Sequence, residues 1–282
     1  MTSIRRMRDA DIPEGIRLCR AAGWNQLEQD WKIFLDMEGG DAFVATDHED
    51  RIVGTVAAMR YQNKFAWIGM MLVDPEKRRQ GIALLLMQHV LEELKDVSSV
   101  KLDATPAGRE VYLKLGFRDE YTLTRWLLDK SSVSETTISD VRLMTDDDLP
   151  VVLQIDQKIF GADRTGLIKH FRQAEPSFAR VLTKENKVIG YCLGRKGFSY
   201  YSIGPVVAAD AADASKLISA VMSYAHDALI IIDVPQQHES LAQWLSDGGF
   251  KKQRDLIRMY RGSNEWPGTP EIQFSILGPA FG

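Results

Sequence analysis

The chain has 282 residues, with 35 lysines and arginines against 39 aspartates and glutamates, a net charge of −4. A mix of 45% hydrophobic and 26% charged residues fits one large or two medium globular domains and excludes a bulk nucleic-acid binder, whose footprint is basic. The two cysteines, Cys19 and Cys192, form no CxxC pair and the histidines are scattered. No metal site is therefore expected, and each cysteine reads as a small apolar filler.

No apolar run reaches membrane-spanning length, and Arg5, Arg6, Asp9 and Asp11 interrupt the first residues. Neither a transmembrane helix nor a signal peptide is expected, and a reducing cytoplasm is the default location. Residues 4–7 predict a short strand. Asp9-Ala10-Asp11-Ile12-Pro13 predicts an acidic helix start with proline in its first turn. That helix carries Ile16, Leu18 and Cys19 and ends near Gly23. A loop, Trp24-Asn25-Gln26, leads to a second helix with Trp31, Phe34 and Leu35, closed by Gly39-Gly40. Strands are predicted over 42–45, 51–57 and 65–73.

After the third of these strands the character changes. Asp74-Pro75 ends the strand, because proline donates no ladder hydrogen bond. Lys77-Arg78-Arg79-Gln80-Gly81 follows, and then a helix rich in leucine, with Ile82, Leu84, Leu85, Leu86, Val90, Leu91 and Leu94. A basic turn running into a helix N-terminus suits a small anion: the first N–H groups of a helix are unpaired and its dipole is positive there. Gly81 has no Cβ to hold a phosphate off the backbone. A strand over 100–105, a short helix over 109–114 ending in Leu115-Gly116-Phe117, and a strand over 121–128 complete this part.

The pattern then restarts. Val141-Arg142-Leu143-Met144-Thr145-Asp146-Asp147-Asp148-Leu149-Pro150 repeats residues 4–13 about 137 positions on, and Lys187-Val188-Ile189-Gly190 repeats 51–54. Residues 231–235 echo 101–106, Gly249-Phe250 repeats Gly116-Phe117, and Arg258 repeats Arg125. Matches in order with a slowly drifting offset argue for a tandem duplication. The expected organisation is a first domain over 1–129, a polar linker over 130–140, a second domain over 141–261, and a Gly/Pro-rich tail over 262–282 that packs as an extended segment or stays loose.

Arg78-x-x-Gly81-x-Ala83 resembles the acyl-CoA pyrophosphate signature of the GNAT acetyltransferase superfamily. The order strand, two helices, hairpin strands, strand, helix, strand, helix, strand in each copy is similar to that superfamily's layout. The resemblance implies an α/β fold of mixed sheets, two tandem GNAT folds, with acetyl-CoA as co-substrate and no metal. It implies that backbone groups of Arg78, Arg79, Gln80, Gly81, Ile82 and Ala83 cradle the pyrophosphate. The edge formed by Met71, Leu72 and Val73 would pair with the pantetheine arm, and Thr105 and Gly108 would lie against the cofactor. Tyr112-x-x-x-Gly116-Phe117 is similar to the segment whose tyrosine serves the departing thiolate as general acid.

Two departures stand out. Thr105 replaces the asparagine found in many relatives, and the strand over 65–73 carries no Glu or Asp to act as base. Trp24 and Asn25 are candidates for the acceptor site, with a packed helix corner as the alternative. In the second copy, counting 133 on, the cradle falls on Ala211-Ala212-Asp213-Ala214-Ser215-Lys216 and Tyr112 on Leu245, so that copy is expected to be degenerate. The expected activity is acetyl transfer to a primary amine of a small molecule by direct attack, without nucleic-acid or membrane partners. The alternatives are a non-catalytic acyl-CoA sensor and an acetyltransferase acting on protein lysines or N-termini.

Overall fold

A computed structural model describes residues 2–129, 138–225 and 228–282; the expected linker lies almost wholly outside the described residues. The chain forms two compact units, the first made of Met1–Asp119, Met259–Glu265 and Phe281, the second of Glu120–Arg258, Trp266–Ala280 and Gly282.

The first unit contains β1 (Ser3–Arg6), α1 (Ile12–Ala21), α2 (Glu28–Asp36), β2 (Gly40–Thr46), β3 (Ile52–Tyr61), β4 (Phe65–Val73), α3 (Ile82–Glu93), β5 (Ser99–Ala104) and α4 (Pro106–Lys114). β1 to β4 form an antiparallel meander in chain order, and β5 joins β4 in parallel through the α3 crossover. α1 buries Ile12, Gly15, Leu18 and Cys19, one face at helical spacing. A Cβ on Gly15 would stand 2.8 Å from the Trp31 ring, so glycine lets α1 and α2 touch. Trp31, Phe34, Val44, Val56, Leu86 and Val90 are fully buried in this core. Phe281 joins them, stacked on Phe34 at 5.2 Å, and its carbonyl accepts the Tyr61 hydroxyl at 2.6 Å.

The second unit contains β6 (Arg118–Leu128) from Glu120 onward, β7 (Val141–Leu143), α5 (Leu149–Phe160), α6 (Thr165–Ala174), β8 (Arg180–Lys184), β9 (Lys187–Lys196), β10 (Tyr201–Val207), α7 (Ala211–Met222), β11 (Ile230–Pro235), α8 (Glu239–Asp247), β12 (Lys251–Gly262) up to Arg258, and β13 (Gln273–Ser275). β7 to β10 repeat the meander, and β11 pairs with β10 in parallel. The core gathers Leu217, Ile218 and Val221 of α7 and Leu241 and Leu245 of α8 against Ile230, Ile232 and Val234.

The repeated helix starts share one device. Asp11 takes both Arg5 nitrogens, at 2.7 and 3.0 Å, and the Arg8 N–H at 2.8 Å. Asp148 takes Arg142 at 2.6 and 2.7 Å and the Thr145 N–H at 2.8 Å. In each copy a carboxylate ties the strand to the turn that opens the helix.

Two boundaries differ from the sequence expectation. The strand from Glu120 to Leu128 belongs to the second unit, where β6 pairs with β11 from Leu123↔Pro235 to Leu128↔Ile230. Residues 259–265 belong to the first, with the Ser263 N–H on the Ser98 carbonyl at 3.0 Å. The tail is extended and packed: Phe274, Ile276 and Leu277 are buried.

Candidate active site

In the first unit the β4–β5 ladder covers only Ala66↔Val100 and Trp67↔Lys101. Beyond it β4 carries a bulge: Thr55 faces Leu72 but Ala57 faces Gly69, and Met70 adopts a left-handed φ of 52°. Such a conformation costs a non-glycine residue about 1 kcal/mol and persists only where neighbours hold it. Here the fully buried Thr55 hydroxyl donates to the Met70 carbonyl at 2.8 Å. In a planar trans peptide the N–H points opposite to the C=O. The Met71 N–H is therefore directed away from β3. Met71 and Val73 are half-buried, whereas the Leu72 side chain is in the core, so Leu72 offers a ligand only its backbone.

β4 and β5 are parallel, so the loops leaving their C-terminal ends lie at the same edge of the sheet. The first loop is anchored by Asp74, which accepts the Glu76 N–H at 3.0 Å and Arg17 at 2.7 Å. Arg79 (φ 62°) and Gly81 (φ 81°) then turn the backbone through left-handed conformations. A Cβ at Gly81 would meet nothing within 4 Å, so conformation, not space, calls for glycine there. Gly81 is the N-cap of α3, and no side chain caps that helix. Arg78, Arg79 and Gln80 are exposed and the two arginines form no ion pair among the described residues. The buried Ile82 side chain packs toward Gly54, so Ile82, like Leu72, can contribute only its backbone. Ala83 is half-buried. An uncapped helix start with two free guanidinium groups and an unobstructed glycine fits a pyrophosphate.

The second loop opens α4. Thr105 is its N-cap and accepts the Gly108 N–H at 3.2 Å. These two nominated cofactor residues therefore bond each other: the Gly108 N–H is spent on the cap, and Thr105 retains its hydroxyl hydrogen. A Cβ on Gly108 would stand 3.1 Å from the Tyr112 ring, so glycine gives the ring its place along the helix. Phe117 flanks Tyr112 with ring centroids 5.9 Å apart. Gly116, at φ 85°, ends the helix, and the Phe117 N–H bonds the Tyr112 carbonyl at 3.1 Å. Burial pushes the Tyr112 phenol up to about 12, so at neutral pH it is a hydrogen-bond donor.

Trp24 and Asn25 lie in the α1–α2 loop, Trp24 half-buried and Asn25 buried. The loop is pinned by the Trp24 N–H on the Cys19 carbonyl at 2.8 Å. Beside them Gln26, which sequence reasoning passed over, is buried, and its Oε1 has no hydrogen-bond partner among the described residues. A glutamine in a predicted loop carries no signal of burial, so only the packing reveals it.

The second unit keeps the frame with different residues at these places. α7 begins at Ala211 as α3 begins at Ile82, so Gly81 falls on Asp210, four positions before the place that simple counting assigned. Asp210 caps its own helix by accepting the Asp213 N–H at 2.9 Å, placing a carboxylate where an anion would bind. Leu245, fully buried, takes the place of Tyr112 as the seventh residue of its helix. In the loop over 160–164, Arg164 grips Asp156 through two nitrogens, both at 2.9 Å, and the Tyr191 hydroxyl donates to the same carboxylate. Asp233, near the end of β11, is held bidentately by Arg125, 2.7 Å on each side, a structural use of the acid. Cys19 and Cys192 are both free and buried. Among the described residues no helix is long and apolar enough to cross a membrane and no group of three or more His, Cys, Asp or Glu is placed to hold a metal.

A strand that parts from its parallel neighbour recurs in both units, and in the first it stands beside a basic glycine turn and an uncapped helix, the arrangement of an acyltransferase fold. The sequence comparisons agree: acetyltransferase (GNAT) domain models match residues 14–123 and 152–275. The chain belongs to the GNAT superfamily as a tandem protein. It is 29% identical over 261 residues to a holothin acyltransferase of a Pseudoalteromonas strain, covering 88% of each chain. It is 23% identical to an uncharacterised N-acetyltransferase of Bacillus subtilis, covering 84% of this chain and 83% of that one. A putative acetyltransferase from Pyrococcus horikoshii superposes with a TM-score of 0.83 at 25% identity, covering 100% of this chain and 96% of the other. A tandem GNAT protein from the clavulanic acid biosynthesis pathway gives a TM-score of 0.70 at 15% identity, over 93% and 98%, and shares the fold.

Proposed function

We propose that the first unit binds acetyl-CoA and transfers its acetyl group to a primary amine of a small molecule by direct attack, and that the second unit performs no chemistry. The contrast between two equivalent helix starts carries this reading: α3 is uncapped behind Gly81, Arg78 and Arg79, whereas α7 is capped by Asp210. The backbone at 79–83 and the two arginines would hold the pyrophosphate, and residues 71–73 the pantetheine arm. The Met71 N–H, aimed by the Thr55–Met70 hydrogen bond, would polarise the thioester carbonyl.

The amine nitrogen attacks the carbonyl carbon, the C–N bond forms as the C–S bond breaks, and the proton lost by nitrogen ends on the thiolate. Tyr112 assists the leaving sulfur. Its phenol, pushed up to about 12 by burial, lies well above an ordinary thiol, roughly 8.5. Tyr112 therefore donates a hydrogen bond to the leaving sulfur and passes its proton on only as the amine's proton replaces it, so that no free phenolate forms. β4 supplies no acid or base, so the acceptor amine reaches the site as its free base.

The likeness to a holothin acyltransferase puts holothin first among the acceptors to assay. Thiol release from acetyl-CoA, followed with a panel of amines, tests the proposal: turnover with at least one small amine is expected, together with loss of both turnover and cofactor binding in Gly81→Glu. Retention of both by that variant would overturn the site assignment.

A further inference from the structure

The two units bear the same bulge. In the first, Thr55↔Leu72 and Ala57↔Gly69 enclose it; in the second, Cys192↔Val206 and Gly194↔Ile203 do. Leu72 and Val73 thus correspond to Val206 and Val207. In the second unit the parallel ladder also stops early, at Tyr201↔Ile230 and Ser202↔Ile231, so β10 and β11 part as β4 and β5 do. That gap is occupied by the chain itself. β13 pairs antiparallel with β10 through Ser275↔Val206 and Gln273↔Val207. The Ala208 N–H donates to the Ile272 carbonyl at 3.2 Å, and the Ile276 N–H crosses to the Asp233 carbonyl of β11, also at 3.2 Å. The Ser275 hydroxyl reaches the Ile203 carbonyl at 2.9 Å.

We infer that residues 272–277 are a built-in occupant of the second unit's cofactor groove, a peptide standing where residues 71–73 of the first unit leave room for a pantetheine arm. The inference rests on the reading of 71–73 given above. Three features mark this as a fitted seat. Gln273, Phe274, Ser275, Ile276 and Leu277 are all buried. A Cβ on Gly204 would stand 2.0 Å from the Ile276 carbonyl oxygen, so this glycine is cut to the peptide. His238, the N-cap of α8 and the counterpart of Thr105, stacks on Phe274 at 4.1 Å, and its Nε2 faces the carbonyls of Pro270 and Gln273 at 2.9 and 3.1 Å. The occupant has a physical reason: parted strands expose unpaired backbone groups, and an extended peptide satisfies both edges at once. With its arm seat filled by peptide and its anion seat by Asp210, the second unit takes no acyl-CoA, and the chain binds one cofactor.

Hydrogen exchange on the full chain, with and without saturating acetyl-CoA, together with the binding stoichiometry from equilibrium dialysis, tests this. The expected result is one cofactor per chain, protection over 69–86, and slow exchange over 272–277 that acetyl-CoA leaves unchanged. In Gly204→Val, exchange over 272–277 should accelerate at least tenfold. A stoichiometry of two, protection over 204–212, faster exchange of 272–277 on adding cofactor, or rapid exchange of that segment in the unmodified chain would each overturn the inference. Absence of protection over 69–86 would instead refute the proposed function, and the seat would then stand or fall on the exchange of 272–277 alone.

Discussion

Thr55→Val isolates the device that aims the Met71 N–H. Valine keeps the shape of the buried side chain and deletes one hydroxyl, leaving the Met70 carbonyl without its 2.8 Å partner. An orphaned buried carbonyl costs about 1–3 kcal/mol, and the left-handed Met70 loses its restraint, so the peptide relaxes and the Met71 N–H swings off its line. Deleting an oxyanion donor outright typically costs about 10²–10³ in kcat; misaiming one should cost roughly tenfold to a hundredfold. The assay is steady-state kcat with acetyl-CoA alongside the Kd for CoA. Free CoA lacks the acetyl carbonyl and should bind Thr55→Val as it binds the parent. Thr55→Ser restores the hydroxyl and should restore most of kcat. If Thr55→Val loses stability while kcat is unchanged, or if CoA affinity falls in step with kcat, Thr55 is only a packing residue.

Three further outcomes are expected. Tyr112→Phe should lower kcat by about 10–10² while leaving the Kd for acetyl-CoA unchanged, since only the leaving sulfur loses a partner; an unaltered rate would remove Tyr112 from the reaction. Burial lowers the pKa of His238, opposed by the Pro270 and Gln273 carbonyls and by the charge of Glu271. The folded state therefore holds this ring neutral, the unfolded chain binds a proton below roughly pH 6.5, and stability should fall as pH drops through that value until the depressed folded pKa is passed. Thermal unfolding from pH 8 to 5 should show that loss and His238→Gln should flatten it; identical profiles would refute the account. The hydrogen bond from Arg142 holds Asp148 well below the ordinary aspartate range, so its contribution is full above about pH 4 and fades below. Asp148→Asn should cost about 1–2 kcal/mol at pH 7 and progressively less toward pH 2, read by urea unfolding at each pH.

Much of the fold and the layout of the candidate site were legible in the sequence because the signals were local. Arg78, Gly81 and Ala83 mark a basic turn before a helix, and the structure gives Gly81 the left-handed N-cap that only a glycine adopts freely. The Arg5-to-Asp11 spacing recurs as Arg142 to Asp148, and both pairs close the same clamp. Gly116-Phe117 reads as a motif because a helix end and a core aromatic sit side by side. Counting along the repeat put the second cradle on residues 211–216, four too far. A difference in loop length shifts an offset without changing any residue type, and only the start of α7 corrects it.

By itself the amino-acid sequence determined that two copies exist, that each has the GNAT order of elements, and that only the first keeps arginine, glycine and tyrosine at the places where chemistry is expected. These are properties of short stretches, set by residue type and spacing. The tertiary structure alone decided that residues 120–128 fall in the second unit and 259–265 in the first, that Thr55 turns a peptide 15 residues away, and that residues 272–277 seat between β10 and β11. Each of these turns on a distant backbone group finding its partner, and a backbone carbonyl or N–H is the same at nearly every residue. Its choice of partner is therefore written only in the packing.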